Sequence, residues 1–217
     1  MKKMLLLSTV IVSLVVALLN CSLLDVVARD AKKSFALLLE NTTSNKNTAE
    51  KRWELLAPGN ETFSMAADLG TTEPDITRTF SAAPFLRAGL DIAKLPADFF
   101  YDNASGILTL RNEISNTKFP AIAANSFSGL FSEFLKTNRS IVGYHEALDH
   151  YGIKLGNGNM LEWAKDPANN DKDLVFVLNP APFLAAGLDT GRLTDWIYAE
   201  VPMKKMTKAI LLKFLNF

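Results

Sequence analysis

APFLRAGLD, Ala83 to Asp91, returns as APFLAAGLD, Ala181 to Asp189. Eight of the nine positions are identical, and the copies lie 98 residues apart. ITRTF, Ile76 to Phe80, and LVFVL, Leu174 to Leu178, stand before the two copies at the same offset. LVFVL is continuously apolar, as a strand buried on both faces reads. ITRTF sets Thr77, Arg78 and Thr79 between two apolar residues and reads as more exposed. Each copy therefore predicts a strand feeding a short helix.

The residue types suit that transition. Ser81 and Asn179 are suited to cap the helices, because their side chains accept a bond from an unpaired first-turn amide. Pro180 falls where a missing N–H costs nothing. Pro84 and Phe85, with Pro182 and Phe183, belong to the same structural motif. Gly89 and Gly187 are placed to end the helices in the left-handed conformation that a Cβ hinders. Asp91 and Asp189 are placed to cap one further turn, ending at Leu95 and Leu193. The functional alternative is a symmetric Asp91/Asp189 ligand pair.

Outside the motif, RWELL, the turn Pro58-Gly59-Asn60 and ETFSMAADL predict a hairpin. YGIKL, Gly156 to Asn159 and MLEWAKD are its counterpart, aligned with one residue of length difference. FFYDNASGILTLRNEI is a second hairpin that turns at Asp102 to Gly106, matched by WIYAEV and KAILLKFLNF. In that lysine-bearing tail, a closing strand competes with a membrane-surface stretch. Residues 22–40, SFSGLFSEFLKT and RSIVGYHEALDHYG space their apolar residues as helices do. NTTSNKNT, Asn41 to Thr48, reads as a polar loop.

The expected fold is α+β, with two tandem repeats. Each would run helix, β-hairpin, strand, short helix, β-hairpin, with an antiparallel or mixed sheet and helices on one side. Residues 1–20 form a signal peptide and 21–50 an N-terminal helix and polar loop. Repeat one covers 51–120. A helical pair plus repeat two covers 121–217, and the repeats share one core.

Lys2 and Lys3 precede an apolar run of 16 residues, Met4 to Leu19. That run is shorter than the ~20 residues of a spanning helix and suits an export signal. The single cysteine, Cys21, follows it. LLNC, with Leu18 three residues before the cysteine, resembles a bacterial lipoprotein signal. Asn20 stands where a small residue is usual. The resemblance covers residues 1–21 and implies lipid attachment at Cys21 and tethering in the cell envelope. Cleavage after Ala28, giving a periplasmic or secreted protein, and retention as an uncleaved anchor are the other two readings. A lone cysteine forms no internal disulfide.

The whole chain balances 23 basic and 23 acidic residues, and loss of the first 20 leaves 21 against 23. That argues against nucleic acid, which needs a basic face. His145 and His150 are the two histidines. HEALDH spaces them five apart, not the four of a zinc-protease HExxH. On a helix their rings diverge by about 140°, leaving Glu146/His150 and His145/Asp149 as surface pairs. No phosphate loop, dinucleotide fingerprint or nucleophile elbow is present. No catalytic residue, metal site or cofactor is therefore assigned. The expected function is a non-enzymatic envelope lipoprotein that binds an unknown envelope protein or apolar ligand. The alternatives are a carrier of an apolar small molecule or lipid in a Phe-rich cavity, and a hydrolytic enzyme.

Overall fold

A computed structural model describes residues 23–40, 42–69, 75–112, 125–146, 148–169, 174–203 and 206–215. The signal segment and Cys21 lie outside the described residues, as does most of the loop 70–75. Among the described residues no helix is long and apolar enough to cross a membrane.

Helix α1 spans residues 23–40. A four-stranded meander follows: β1 (Ser44–Asn47), β2 (Arg52–Ala57), β3 (Glu61–Ala66) and β4 (Ile76–Ser81). The short helix α2 (Ala83–Arg87) and a 3-10 turn (Ile92–Lys94) lead to the hairpin β5 (Phe99–Asp102) and β6 (Ile107–Asn112). Helix α3 (Phe127–Thr137) opens the second half. Its meander is β7 (Val142–His145), β8 (His150–Lys154), β9 (Met160–Ala164) and β10 (Leu174–Leu178). Helix α4 (Ala181–Ala185) and the hairpin β11 (Ile197–Met203) and β12 (Met206–Leu215) complete it.

The strands form two six-stranded sheets, ordered β1-β2-β3-β4-β6-β5 and β11-β12-β10-β9-β8-β7. Every strand pairing is antiparallel. The fold is α+β, and read from the meander outward the two sheets have the same order. The starts of β1 and β7, β2 and β8, β4 and β10, and α2 and α4 all differ by 98 residues. Left-handed backbone recurs at that offset: Lys51 with Asp149, Gly59 with Asn157, Asn60 with Gly158, and Gly89 with Gly187. Gly59-Asn60 thus corresponds to Asn157-Gly158, and the expected one-residue length difference is absent.

Three further expectations are corrected. RSIVGYHEALDHYG is a 3-10 turn followed by the β7–β8 hairpin, not a helix. Part of the NTTSNKNT loop is β1, an edge strand with no apolar face to announce it. Arg78 is fully buried, although the polar ITRTF run read as exposed.

Phe35 of α1, Phe63 of β3, Phe127 and Phe131 of α3 and Trp163 of β9 pack ring against ring. Phe80, Phe85, Phe183, Phe99 and Trp196 form a second group. Both groups belong to one core cluster that draws on both halves. Offset-stacked and edge-to-face pairs of this kind add about 0.5–1.5 kcal/mol each beyond area burial.

Candidate functional site

The two motif copies meet at a pseudo-two-fold axis. Asp91 N donates to Ala186 O at 2.9 Å, and Asp189 N donates to Ala88 O at 2.8 Å. Phe85 and Phe183 stack with centroids 5.1 Å apart. The helix N-caps are Ala82 and Pro180, each one residue after the expected caps Ser81 and Asn179, so Pro180 takes the cap position and not the first helical one. Ser81 Oγ and Asn179 Oδ1 still accept from the backbone two residues on, at Ala83 and Ala181. Pro84 and Pro182 sit inside the first turn. Asp91 and Asp189 accept from Ala93 N and Gly191 N, capping their 3-10 turns. Each carboxylate thus has the capping role in its own turn that the residue pattern predicts.

Beside the axis the halves differ. In the first half Glu61, at the start of β3, binds Lys213 of β12 at 2.6 Å. Burial pushes the Glu61 carboxyl up, against the opposing pull of Lys213 and the Ser81 N–H. Trp196 lies over Phe80 and Phe85 and is 5% exposed, with the Lys213 ammonium 6.0 Å from its ring. Glu61, Phe80, Phe85 and Trp196 are all buried in this corner.

The corresponding corner of the second half is open. Asn159 stands in the place of Glu61. Leu110 stands in the place of Lys213, since Arg78 faces Leu110 where Phe176 faces Lys213. Phe99 takes the part of Trp196, contacting Phe183 edge-on at 5.1 Å. A cleft of about 670 Å³ remains, lined by Asp98, Phe99, Asn157, Asn159, Asn179 and Pro182 among others. Its polar groups hold one another. Asn157 Nδ2 donates to Asp98 Oδ2 at 3.1 Å, joining the halves. Asn179 Nδ2 donates to Asn157 O, and Asn159 Oδ1 accepts from Asn179 N, both at 2.9 Å.

The histidines form a separate cluster. They face each other across the β7–β8 hairpin, so the expected divergence of their rings is overturned. Both Nδ1 atoms approach Glu162 Oε2 of β9, at 3.5 Å from His145 and 3.8 Å from His150. His150 is 2% exposed and Glu162 4% exposed, and among the described residues His150 Nδ1 has no hydrogen-bond partner. Gly152 opposite Glu162 makes the room, because a Cβ there would lie 2.9 Å from Glu162 Cγ. The expected helix pairs Glu146/His150 and His145/Asp149 are replaced by cross-strand contacts. Asp149 binds the Tyr144 hydroxyl and Lys165. The Tyr144 bond, chiefly, holds its carboxyl below the usual range. Among the described residues no group of three or more His, Cys, Asp or Glu is arranged to hold a metal ion.

No single motif announces the cleft. Asn157 and Asn159 read as turn residues and Asn179 as a cap. The available signal was their alignment, at 98 residues, with the non-amide residues Gly59, Glu61 and Ser81. Comparison with protein families, characterised proteins and solved structures finds no match for this chain.

Proposed function

We propose that this chain is a lipid-anchored envelope protein acting as a non-enzymatic binding module, built by tandem duplication of one α+β unit. In this reading one copy has closed its corner and the other has kept it open. The carrying observation is that asymmetry: Glu61, Lys213 and Trp196 fill one corner, while Asn159, Leu110 and Phe99 leave the other as a cleft. A cleft of this volume falls within the range of small-ligand sites.

The anchor rests on the Lys2-Lys3, Met4–Leu19 and Cys21 pattern. Helix α1 begins just beyond it, with Leu23, Leu24 and Val26 exposed on its first turn. Intact mass spectrometry of the protein from a bacterial membrane fraction, with Cys21→Ala as control, tests it. The expected mature chain starts at Cys21 and carries acyl mass that the control lacks. An unmodified chain starting at Arg29 refutes the anchor.

A carrier with a Phe-rich cavity draws no support from the core, where the phenylalanines pack against one another. An acid–base enzyme is the second reading, favoured by the convergence of His145 and His150 on buried Glu162. That cluster lies outside the cleft lining.

A further inference from the structure

The open cleft has a definite chemical character. Its apolar contributors are Pro96, Phe99, Ala181 and Pro182, and its polar ones are Asp98, Asn157, Asn159 and Asn179. Among the described residues no lysine, arginine or histidine lines it. A phosphate, sulfate or carboxylate ligand would find no counter-charge, and Asp98 would repel it.

The filled corner argues against a cation held as Lys213 is. There the guest is the Lys213 ammonium, and its acceptor is the Glu61 carboxylate. Asn159 replaces that carboxylate with an amide. Its oxygen already accepts from Asn179 N, and its nitrogen already donates to Gly156 O. The open corner has lost the strong acceptor that held a cation. Asp98, the remaining carboxylate, accepts from Asn157 through Oδ2 and keeps Oδ1 as an acceptor.

What remains is neutral hydrogen bonding in both senses. Each side-chain amide has two N–H groups and an oxygen with two lone pairs. Asn157, Asn159 and Asn179 each spend one N–H within the protein. Each amide has a second N–H by its chemistry, and Asp98 Oδ1 and Asn157 Oδ1 are acceptors by type. The complement is a ligand whose groups both donate and accept and that also offers a C–H face to Phe99 and the prolines. Hydroxyls on a saturated ring meet both conditions. The mutual bonds of Asn157, Asn159, Asn179 and Asp98 fix these groups before the ligand arrives, which lowers the ordering cost of binding.

Resting on the binding-module reading above, we propose that this cleft binds a neutral saccharide, with its apolar face on Phe99 and its hydroxyls on Asp98, Asn157, Asn159 and Asn179. The test is titration of the ¹⁵N-labelled folded chain with maltotriose, cellotriose and chitotriose, read by amide and side-chain NH₂ shifts. A mixture of neutral hexapeptides is titrated in parallel. Two variants accompany the parent: Asn157→Ala, at an exposed turn, and Ala181→Trp, which fills the cleft from its exposed rim. Both are checked for folding by their spectra. The expected result is saturable shifts at the cleft with at least one trisaccharide, weakened at least tenfold by Asn157→Ala and abolished by Ala181→Trp. Absence of cleft shifts with all three sugars at 10 mM overturns the proposal, as do sugar shifts that persist in Ala181→Trp. Cleft shifts with peptides alone overturn the saccharide assignment and leave the binding module standing. Silence with both probe classes removes the cleft as a binding site.

Discussion

Gly89 and Gly187 face each other across the pseudo-two-fold axis, each placed so that an added Cβ would lie 3.5 Å from the carbonyl oxygen of the other. That spacing is ordinary contact, so the opposing backbone tolerates a methyl group. The constraint is the backbone angle, φ +89° at one glycine and +91° at the other. Gly89→Ala and Gly187→Ala are each expected to cost about 1–2 kcal/mol, the penalty of the left-handed region for a residue with a Cβ. Urea denaturation of both variants measures this, and similar losses from the two are expected because the environments match.

Glu61 makes stability depend on pH in an unusual direction. Its carboxyl is raised by burial even with Lys213 beside it. In the unfolded chain it ionises near 4.5, as an ordinary glutamate does. Between that value and its raised folded value, the folded state holds more protons than the unfolded state. Its contribution is therefore fully present below pH 4.5 and is lost as pH rises through the folded value. Denaturation curves from pH 4 upward should show the parent losing stability relative to Glu61→Gln across that window. A difference that stays flat with pH would contradict the assignment.

Gly152 is held to glycine by sterics rather than by backbone angle. A Cβ there would meet Glu162 Cγ at 2.9 Å and Leu161 O at 3.1 Å. Gly152→Ala is expected to lose about 1–3 kcal/mol, as overpacked core sites do. Adding Glu162→Ala removes the nearer obstacle and should recover part of the loss. Thermal melts of the single and double variants measure the coupling.

Arg78 crosses from β4 to the second sheet, donating to Met160 O at 3.1 Å and Val177 O at 3.4 Å. Burial lowers its guanidinium to about 9. Its counterpart at the 98-residue offset is Phe176, whose ring it approaches to 5.7 Å. An unbranched apolar residue refills that space but leaves the Met160 and Val177 carbonyls without this donor. Arg78→Met should fall by about 1–3 kcal/mol, and Arg78→Ala by about 2–5 kcal/mol through its cavity. Chemical denaturation of the pair decides it.

Repetition made much of the sheet legible before any coordinates. The doubled nonapeptide located β4, β10 and both short helices, because glycine, proline and aspartate at transitions have local causes. The His145–His150 stretch was illegible for a physical reason. Ile141, Tyr144, Leu148 and Tyr151 satisfy a helical spacing, yet Tyr144 and Tyr151 are cross-strand partners in a hairpin. A short run cannot separate the two periods when the turn supplies one of the apolar residues. Arg78 misled similarly, since its burial depends on carbonyls 82 and 99 residues away. The cleft needed three distant replacements to be seen together, at Asn159, Leu110 and Phe99.

The exchanged hydrogen bonds at the axis bear on how such a chain arises. Ala88 O and Asp91 N, like Ala186 O and Asp189 N, find their partners only in the opposite half. A polypeptide holding one half alone would expose the same unmet groups beside an uncovered phenylalanine. The surface that satisfies them is the one it already carries, because contacts of this kind are self-complementary. Under the proposed duplication, an ancestral half would have met these groups by pairing with a copy of itself. Fusion of two such subunits into one chain frees each corner to change on its own, which identical subunits cannot do.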